Sequence, residues 1–192
     1  MVNLVIFASG EGSNAEKILE FFEGHKKVKI SWIITNNEEA GVLKKAQKYR
    51  KGIQVISNSV LIKNAKQFTE FLHMERIDWI ILAGFLLKIP TEIVQAFPNK
   101  IINLHPSLLP KFGGKGMYGI HVHRAVIASA EKESGITIHL VNEEYDKGEI
   151  VFQQTCLIEP GETPETLSSK VQQLEHKFFP KIIEKVILEN QL

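Results

Sequence analysis

Short apolar runs rich in β-branched residues alternate with amphipathic stretches through the first hundred residues. The apolar runs are typical of buried strands, and the stretches between them repeat apolar positions every three to four residues, as helices do. The predicted strands are Leu4–Ala8, Ile30–Thr35, Ile53–Ile56, Trp79–Ala83 and Ile101–Leu104, and the predicted helices are Ala15–Glu23, Gly41–Lys51, Asn64–Glu75 and Pro90–Ala96. Strands this apolar, separated by helices, predict a parallel sheet that is covered on both faces.

The second half of the chain has a different pattern. Gly135–Val141 and Ile150–Leu157 are two predicted strands joined by the short segment NEEYDKGE, which predicts an antiparallel pair. A final helix is predicted to begin at Pro164, with Thr163 as its cap. Its predicted apolar stripe is Leu167, Val171, Leu174, Phe178 and Ile182. The whole pattern predicts one doubly wound α/β domain over residues 1–192.

Composition and charge narrow the class of protein. The chain has 192 residues, of which 44% are hydrophobic, and 23 basic residues balance 22 acidic ones. A net charge of +1 does not indicate a nucleic-acid partner. The single cysteine, Cys156, excludes an internal disulfide. No apolar run reaches the roughly 20 residues of a membrane helix, and the N-terminus has no leader pattern. We therefore expect a cytoplasmic protein with no membrane partner.

Ligands of doubly wound sheets bind beyond the carboxyl ends of the strands. The first such place is the segment SGEGSNAE, in which Gly10, Gly12 and Ala15 match the looser dinucleotide fingerprint. That fingerprint expects an acidic residue at the end of the second strand, where this chain has Thr35-Asn36-Asn37. We therefore do not expect NAD as a cofactor.

The same turn can instead hold a phosphate. Gly10 and Gly12 let the backbone approach a ligand, and the amides at a helix N-terminus favour an anion. Ser13 is predicted to cap the helix, and Glu16 is predicted to complete a capping box. A tight turn without a ligand is the alternative.

A carboxamide and an imidazole end the fifth predicted strand. Asn103 and His105 are two residues apart, so their side chains should point the same way, and Pro106 then turns the chain. An amide donor beside an imidazole suits the stabilisation of an oxyanion and the relay of a proton in acyl or formyl transfer. The residues alone leave a second interpretation open, in which Asn103 caps the loop and His105 is a core histidine.

Four motifs together carry a family resemblance. NLHPSLLP at residues 103–110, with GEGSN, LAGF and EEYDKGEIV elsewhere, resembles the phosphoribosylglycinamide formyltransferases of purine biosynthesis. The resemblance covers nearly the whole chain. It implies a Rossmann-like fold with a mostly parallel seven-stranded sheet, and transfer of a formyl group from 10-formyltetrahydrofolate to glycinamide ribonucleotide. It also implies that Asn103, His105 and Asp146 form the catalytic set.

The chemistry of formyl transfer agrees with that set. An amine that attacks the formyl carbon creates a tetrahedral oxyanion, which Asn103 Nδ2 and a protonated His105 can hold. Asp146 can keep His105 cationic by its proximity. From its own sequence context, however, a turn residue is the favoured interpretation of Asp146, because Asp-Lys-Gly is common turn chemistry, and only the family pattern reverses that preference.

The resemblance also implies the binding residues. The ribonucleotide is expected at Gly12, Ser13, Asn14, Gln172 and Glu175, and the folate is expected at Phe85, Leu86, Leu87, Lys88, Ile89, Asn142, Glu143, Glu144 and Tyr145. Glu175 is predicted to lie on the buried stripe of the final helix, and His139 and Ser107 are expected to support the site. A core histidine is an equal interpretation of His139. Leu87 stands where the family often has a basic residue, which leaves open whether Lys88 contacts the folate tail.

Other functions are less consistent with the sequence. His121 and His123 resemble a metal pair, but residues two apart on a helix do not share a face, so no metal is expected. A formyltetrahydrofolate hydrolase usually has an additional N-terminal domain, and a methionyl-tRNA formyltransferase has a basic RNA-binding domain. We therefore expect small-molecule substrates only, and a monomer or homodimer.

Overall fold

The structure, a computed structural model, describes residues 1–190. The strands are β1 (Val2–Phe7), β2 (Val28–Thr35), β3 (Gly52–Val55), β4 (Trp79–Leu82), β5 (Ile101–His105), β6 (Glu133–Leu140) and β7 (Ile150–Leu157). The helices are α1 (Ser13–Phe21), α2 (Val42–Lys48), α3 (Asn58–Lys63), α4 (Ala65–Met74), α5 (Thr91–Ala96), α6 (Ile120–Ala128) and α7 (Pro164–Glu189). Each predicted strand is therefore present, with ends that differ by at most two residues.

The strands form one seven-stranded sheet in the order β3-β2-β1-β4-β5-β6-β7. β1 pairs in parallel with β2 and β4, and β2 pairs in parallel with β3. β6 and β7 are antiparallel, with Glu133 opposite Leu157. The predicted α/β class, with a mostly parallel sheet and an antiparallel C-terminal addition, is confirmed.

The chain divides into two compact units, Met1–Ile102 and a second unit that begins at Asn103. In the first unit, β1 is central because it has a strand on each side, and Leu4 and Phe7 are fully buried. The ring of Phe7 packs edge-on against Phe68 and Phe85, at centroid distances of 6.0 and 5.2 Å. In the second unit, α7 packs against α6, β6 and β7.

Two helices were not predicted. Helix α3 contains Val60, Leu61 and Ile62, an apolar run that looks like a strand in the sequence, but Ser57 Oγ accepts a hydrogen bond from Val60 N and starts a helix. Helix α6 contains the segment IHVHRAVIA. No helix within residues 1–190 is both long enough and apolar enough to cross a membrane.

The predicted cap of α1 is wrong. The cap is Gly12, in a left-handed conformation with φ 71°, and Ser13 is the first helical residue. Glu16 does not complete a capping box, because its carboxylate binds Lys45 and, at 2.9 Å, Lys48. The hydrogen bonds to these two lysines lower the pKa of Glu16 to about 2. Glu16 therefore ties α1 to α2.

The predicted cap of α7 is confirmed, since Thr163 Oγ1 accepts from Thr166 N and the Thr166 hydroxyl accepts from Thr163 N. The predicted stripe is correct only in the first turns. The buried positions of α7 are Leu167, Val171, Phe179, Pro180, Ile183, Val186 and Ile187. With 100° of rotation per residue, the buried positions beyond Val171 lie roughly a third of a turn further around the helix axis than Leu167 and Val171 do. Glu175 is consequently half-buried rather than on the buried stripe.

Candidate active site

The end of β5 brings a carboxamide and an imidazole into one polar network. Asn103 is half-buried and His105 is 4% exposed. Asn103 Nδ2 lies 3.0 Å from His139 Nε2, and His105 Nδ1 lies 3.6 Å from Asp146 Oδ2. His139 Nε2 is also 3.6 Å from Asp146 Oδ1. The predicted catalytic set and its predicted support, His139, therefore lie together.

The hydrogen-bond partners of His139 assign its tautomer. Its Nδ1 lies 3.0 Å from the Leu140 carbonyl oxygen, which can only accept, so Nδ1 carries the hydrogen. In the neutral ring, Nε2 is then the acceptor for one N–H of Asn103. A carboxamide has two such hydrogens. His139 thus orients the Asn103 amide while using only one of its donors.

His105 is held in a similar way. Its Nε2 lies 2.8 Å from the Phe112 carbonyl oxygen, so Nε2 donates and Nδ1 is directed towards Asp146. Burial lowers the pKa of His105, and this effect exceeds the opposite influences of Asp146 and Phe112. The expectation that Asp146 keeps His105 cationic is therefore corrected. The imidazole is neutral at rest because it is buried.

Asp146 is an ionised carboxylate in the loop between β6 and β7. Burial alone would raise its pKa, but the neighbouring His139 and His105 rings and the Gly114 amide together lower it. Gly114 N donates to Asp146 Oδ2 at 2.8 Å. The backbone of Asp146 has φ 53°, as in a turn. The turn that the sequence predicts at Asp146 is therefore present, and it places the carboxylate in the network.

Side chains of β6 and β7 fix the loop that follows His105. Ser107 is fully buried, and its hydroxyl donates to the Lys111 carbonyl at 2.8 Å. Thr137 Oγ1 donates to the Ser107 carbonyl at 2.6 Å and accepts from Leu109 N at 3.0 Å. Gln153 Nε2 donates to the Leu109 carbonyl at 2.9 Å. The Leu109–Pro110 bond is cis. Sequence reasoning missed Thr137 and Gln153, which have no local motif.

The glycine turn in the first unit leaves no room for a side chain at Gly12. A Cβ at Gly12 would lie 2.6 Å from Val42 Cβ, whereas one at Gly10 would meet nothing within 4 Å. Ser13 and Asn14 are half-buried at the start of α1. Ser9, which was not predicted, accepts a hydrogen bond from Leu86 N at 2.9 Å through its hydroxyl. Ser9 thereby joins this turn to the segment 85–89.

The segment 85–89 differs from the predicted folate wall in its side chains. Phe85 and Ile89 are buried, and Phe85 packs on Phe7 in the core. Leu86 is 54% exposed, Leu87 is half-buried and Lys88 is exposed. The apolar side chains that can contact a ligand here are thus limited to the two leucines, because the side chains of Phe85 and Ile89 are buried.

The remaining predicted residues lie at the surface. Asn142, Glu143, Glu144 and Tyr145 are all exposed, and Asn142 accepts from Glu144 N at 2.9 Å. Gln172 is exposed on α7.

His121 is exposed and His123 is buried, so the two rings lie on different sides of α6. Within residues 1–190, no group of three or more potential ligands could hold a metal ion.

The network in the second unit defines a class of chemistry. It combines an oriented amide donor, a neutral buried imidazole with one nitrogen directed at a carboxylate, and an ionised Asp146. Such groups suit a reaction in which negative charge develops on a carbonyl oxygen and a proton changes place. Acyl-type group transfer is one class that requires both.

Comparison with known proteins agrees with that class. The formyl transferase family model matches residues 2–183. "Phosphoribosylglycinamide formyltransferase" of Bacillus subtilis is 32% identical over 97% of this chain and 95% of its own length. The crystal structure of the enzyme of that name from Bacillus halodurans is 30% identical, with a TM-score of 0.86 over 96% of this chain and 95% of that chain. The chain therefore belongs to the formyl transferase family, together with these phosphoribosylglycinamide formyltransferases.

A plant relative is more similar in sequence. "Phosphoribosylglycinamide formyltransferase, chloroplastic" of Arabidopsis thaliana is 40% identical over 94% of this chain. This chain covers 63% of that protein's length. The chain thus spans less than two thirds of the plant relative.

Proposed function

We propose that this protein transfers the formyl group of 10-formyltetrahydrofolate to the amine of 5′-phosphoribosylglycinamide. The products are formylglycinamide ribonucleotide and tetrahydrofolate, a step of de novo purine biosynthesis. The observation that carries the proposal is the network of Asn103, His139, Asp146 and His105. The names of the similar proteins support the choice of substrates.

The proposed reaction begins with attack of the substrate amine on the formyl carbon. A carbon–nitrogen bond forms, and the formyl oxygen takes the negative charge of a tetrahedral intermediate. Asn103 supports this step, because one of its N–H groups is held by His139 and its second can donate to the oxygen. A preorganised donor of this kind is worth roughly 10²–10³ in rate.

The second step moves a proton. The amine must lose a proton as it attacks, and N10 of the folate must gain one as its bond to the formyl carbon breaks. Neutral His105 can accept the proton at Nδ1, since Nε2 is occupied by Phe112. The resulting imidazolium lies beside ionised Asp146, which stabilises it. The same proton then passes to N10, directly or through a water molecule.

The ribonucleotide phosphate is proposed to bind at Gly12, Ser13 and Asn14. Helix α1 starts at Ser13, and first-turn amides of a helix have no acceptor within that helix. Gln172 and Glu175, both on α7, are proposed to contact the ribose and amine region, as the family resemblance implies. The half-buried position of Glu175 is consistent with a polar ligand contact.

The folate is proposed to bind along two segments, Phe85–Ile89 and Asn142–Tyr145. Since the side chains of Phe85 and Ile89 are buried, their contribution is assigned to the backbone, and apolar contact is assigned to Leu86 and Leu87. Lys88 is exposed and is proposed to meet the acidic folate tail. The transfer moves no hydride and therefore needs no NAD, and the amide donor supplies the charge stabilisation for which other enzymes use a metal.

We further propose that residues 1–192 act as one formyltransferase domain, as a monomer or homodimer in the cytoplasm, without a nucleic-acid or membrane partner. The family match over residues 2–183 supports the single domain. The balanced charge and the single cysteine support the other assignments.

One assay tests the proposed function. Purified protein is mixed with 10-formyltetrahydrofolate, and tetrahydrofolate release is measured with and without glycinamide ribonucleotide. We expect release that depends on the nucleotide, together with formylated nucleotide as product. Equal release in its absence would instead identify a hydrolase, and no release in either mixture would contradict an enzyme of this class.

A further inference from the structure

Two residues of one short segment hold His105 and Asp146 through backbone groups. The Phe112 carbonyl accepts a hydrogen bond from His105 Nε2 at 2.8 Å, and Gly114 N donates to Asp146 Oδ2 at 2.8 Å. We call residues 112–114 the 112–114 clamp. Its two contacts have opposite polarity, an acceptor for the imidazole and a donor for the carboxylate. Each therefore matches the group that it holds.

The two glycines of the 112–114 clamp are needed for this geometry. Gly114 has φ 97°, which L side chains rarely adopt, and Phe112 has φ 56°, which is uncommon for a bulky residue. At Gly113 there is no space for a side chain, since a Cβ would lie 2.5 Å from Leu109 Cδ2 and 3.2 Å from Asp146 Cβ. The backbone of the 112–114 clamp is thus unusual where it contacts the two functional side chains.

The contacts have a consequence for the proton-transfer step. An imidazole that donates from Nε2 to a fixed carbonyl must accept at Nδ1 when neutral, and Nδ1 is the nitrogen directed at Asp146, 3.6 Å away. The other titratable groups that influence this pair are His139 on β6 and His123 on α6. Neither of these side chains sets the tautomer of His105, because neither bonds to Nε2.

We propose that the 112–114 clamp is a positioning element, which fixes His105 in its Nε2–H tautomer and aligns Asp146 with Nδ1, so that the proton of the attacking amine is accepted at one defined atom. This inference rests on the proposed formyl transfer. Phe112, Gly113 and Gly114 are positioning residues in this account, since they act through His105 and Asp146.

A matched pair of glycine variants tests the proposal. Gly114→Ala and Gly116→Ala both place an alanine at positive φ, 97° and 88°, and neither new Cβ would meet another atom within 4 Å. They should therefore cause similar backbone strain, but only Gly114 bonds to Asp146. We expect Gly114→Ala to lower kcat by about tenfold or more, since small displacements of reacting groups are costly. KM for the ribonucleotide should change less than twofold, and Gly116→Ala should retain near-normal kcat.

The pH profile gives a readout that loss of stability alone would not change. The Gly114 amide helps to lower the pKa of Asp146, so weakening that bond should raise this pKa. The part of the acid limb of kcat that reports Asp146 should then move to higher pH, in addition to the part set by protonation of His105. The acid limb of kcat for Gly116→Ala should lie at the same pH as that of the wild type. Equal profiles and equal kcat in the two variants would overturn the proposal.

A measurement on the free protein separates this inference from the proposed function. ¹⁵N NMR of the histidine rings, with His105→Gln used for assignment, reports which nitrogen of His105 carries hydrogen. The wild type should show the Nε2–H tautomer, and Gly114→Ala should show a mixture. Phe112→Gly, which keeps the carbonyl but makes the backbone that positions it more flexible, serves if Gly114→Ala fails to fold. An unchanged tautomer in both variants would refute the clamp, whether or not formyl transfer occurs.

Discussion

At the scale of single residues, backbone groups contribute as much to the site as side chains. His105 is fixed by the Phe112 carbonyl, and Asp146 by the Gly114 amide. Asn103 is oriented by a side chain, His139, whose own tautomer is set by the Leu140 carbonyl. His105 and Asp146 are thus held by backbone groups, and Asn103 by a side chain.

The Asn103 amide is expected to act in the transition state rather than in binding. Asn103→Ala should lower kcat by roughly 10²–10³, the typical cost of losing one oxyanion donor. KM for the ribonucleotide should change little. Steady-state kinetics of nucleotide-dependent tetrahydrofolate release checks this. His139→Gln serves as a comparison, because it keeps the amide of Asn103 and disturbs its orientation and the surroundings of Asp146, and it should lose less activity. A normal kcat in Asn103→Ala would show that Asn103 takes no part in the reaction.

The two glycines of the turn between β1 and α1, where the ribonucleotide phosphate is proposed to bind, should respond differently to alanine. At Gly12, both the positive φ and the 2.6 Å approach of Val42 Cβ oppose a Cβ, so Gly12→Ala should lower stability. At Gly10 the protein has room, so Gly10→Ala should keep its stability and lose ribonucleotide affinity only if a ligand occupies that room. Thermal unfolding and calorimetric titration distinguish the two. Full affinity in a stable Gly10→Ala protein would argue against a phosphate beside Gly10.

At the scale of elements, the ends of helices show how local signals compete with tertiary contacts. Thr163 and Thr166 form the capping box at α7 that the sequence predicts. At α1 the equivalent signal, Ser13 with Glu16, is not used, because Lys45 and Lys48 of α2 bind the glutamate. A capping motif is therefore reliable only where no stronger partner is near.

The α7 cap gives a stability prediction. Thr163→Ala removes a hydroxyl that accepts from Thr166 N, and should cost about 1 kcal/mol. For a protein of this size that corresponds to a fall in Tm of about 2–4 °C. Thr163→Ser keeps the oxygen and should stay close to the wild type. Calorimetry of the three proteins checks the effect, and equal Tm values for Ala and Ser would show that the cap adds nothing.

At the scale of the whole molecule, buried histidines link folding to pH. Burial lowers the pKa of both His105 and His123 in the folded protein. Near the usual histidine pKa of 6.5, the unfolded chain therefore binds more protons than the folded one. The free energy of unfolding that depends on these two histidines is therefore highest above that pH, and it decreases as the pH falls below it. Asp146, whose folded pKa is below 3.8, adds a loss of the same sign at lower pH.

The urea midpoint of unfolding should accordingly fall between about pH 7.5 and about pH 5.5. His123→Gln should reduce that pH dependence, since it removes one buried titrating group. His121→Gln, an exposed position on the same helix, is the control. If His123→Gln and His121→Gln show the same pH dependence as the wild type, His123 does not carry the linkage.

Sequence reasoning was accurate where a short segment determines its own structure. The seven strands follow from local apolar runs, and the antiparallel pairing of β6 and β7 follows from a short connection. The convergence of Asn103 and His105 follows from their spacing on one strand, and the family motifs added Asp146. These features depend on periodicity and turn chemistry, which act over a few residues.

Only the tertiary structure decided the features that depend on partners distant in the sequence. Burial, rather than the nearby carboxylate, sets the charge state of His105. Glu16 pairs with Lys45 and Lys48 instead of completing a capping box. Beyond Val171, α7 buries a different side of the helix from the predicted one. The Phe112 carbonyl and the Gly114 amide have no side-chain signature. Desolvation and backbone hydrogen bonding depend on which groups meet in the folded chain, and the order of residues alone does not specify that.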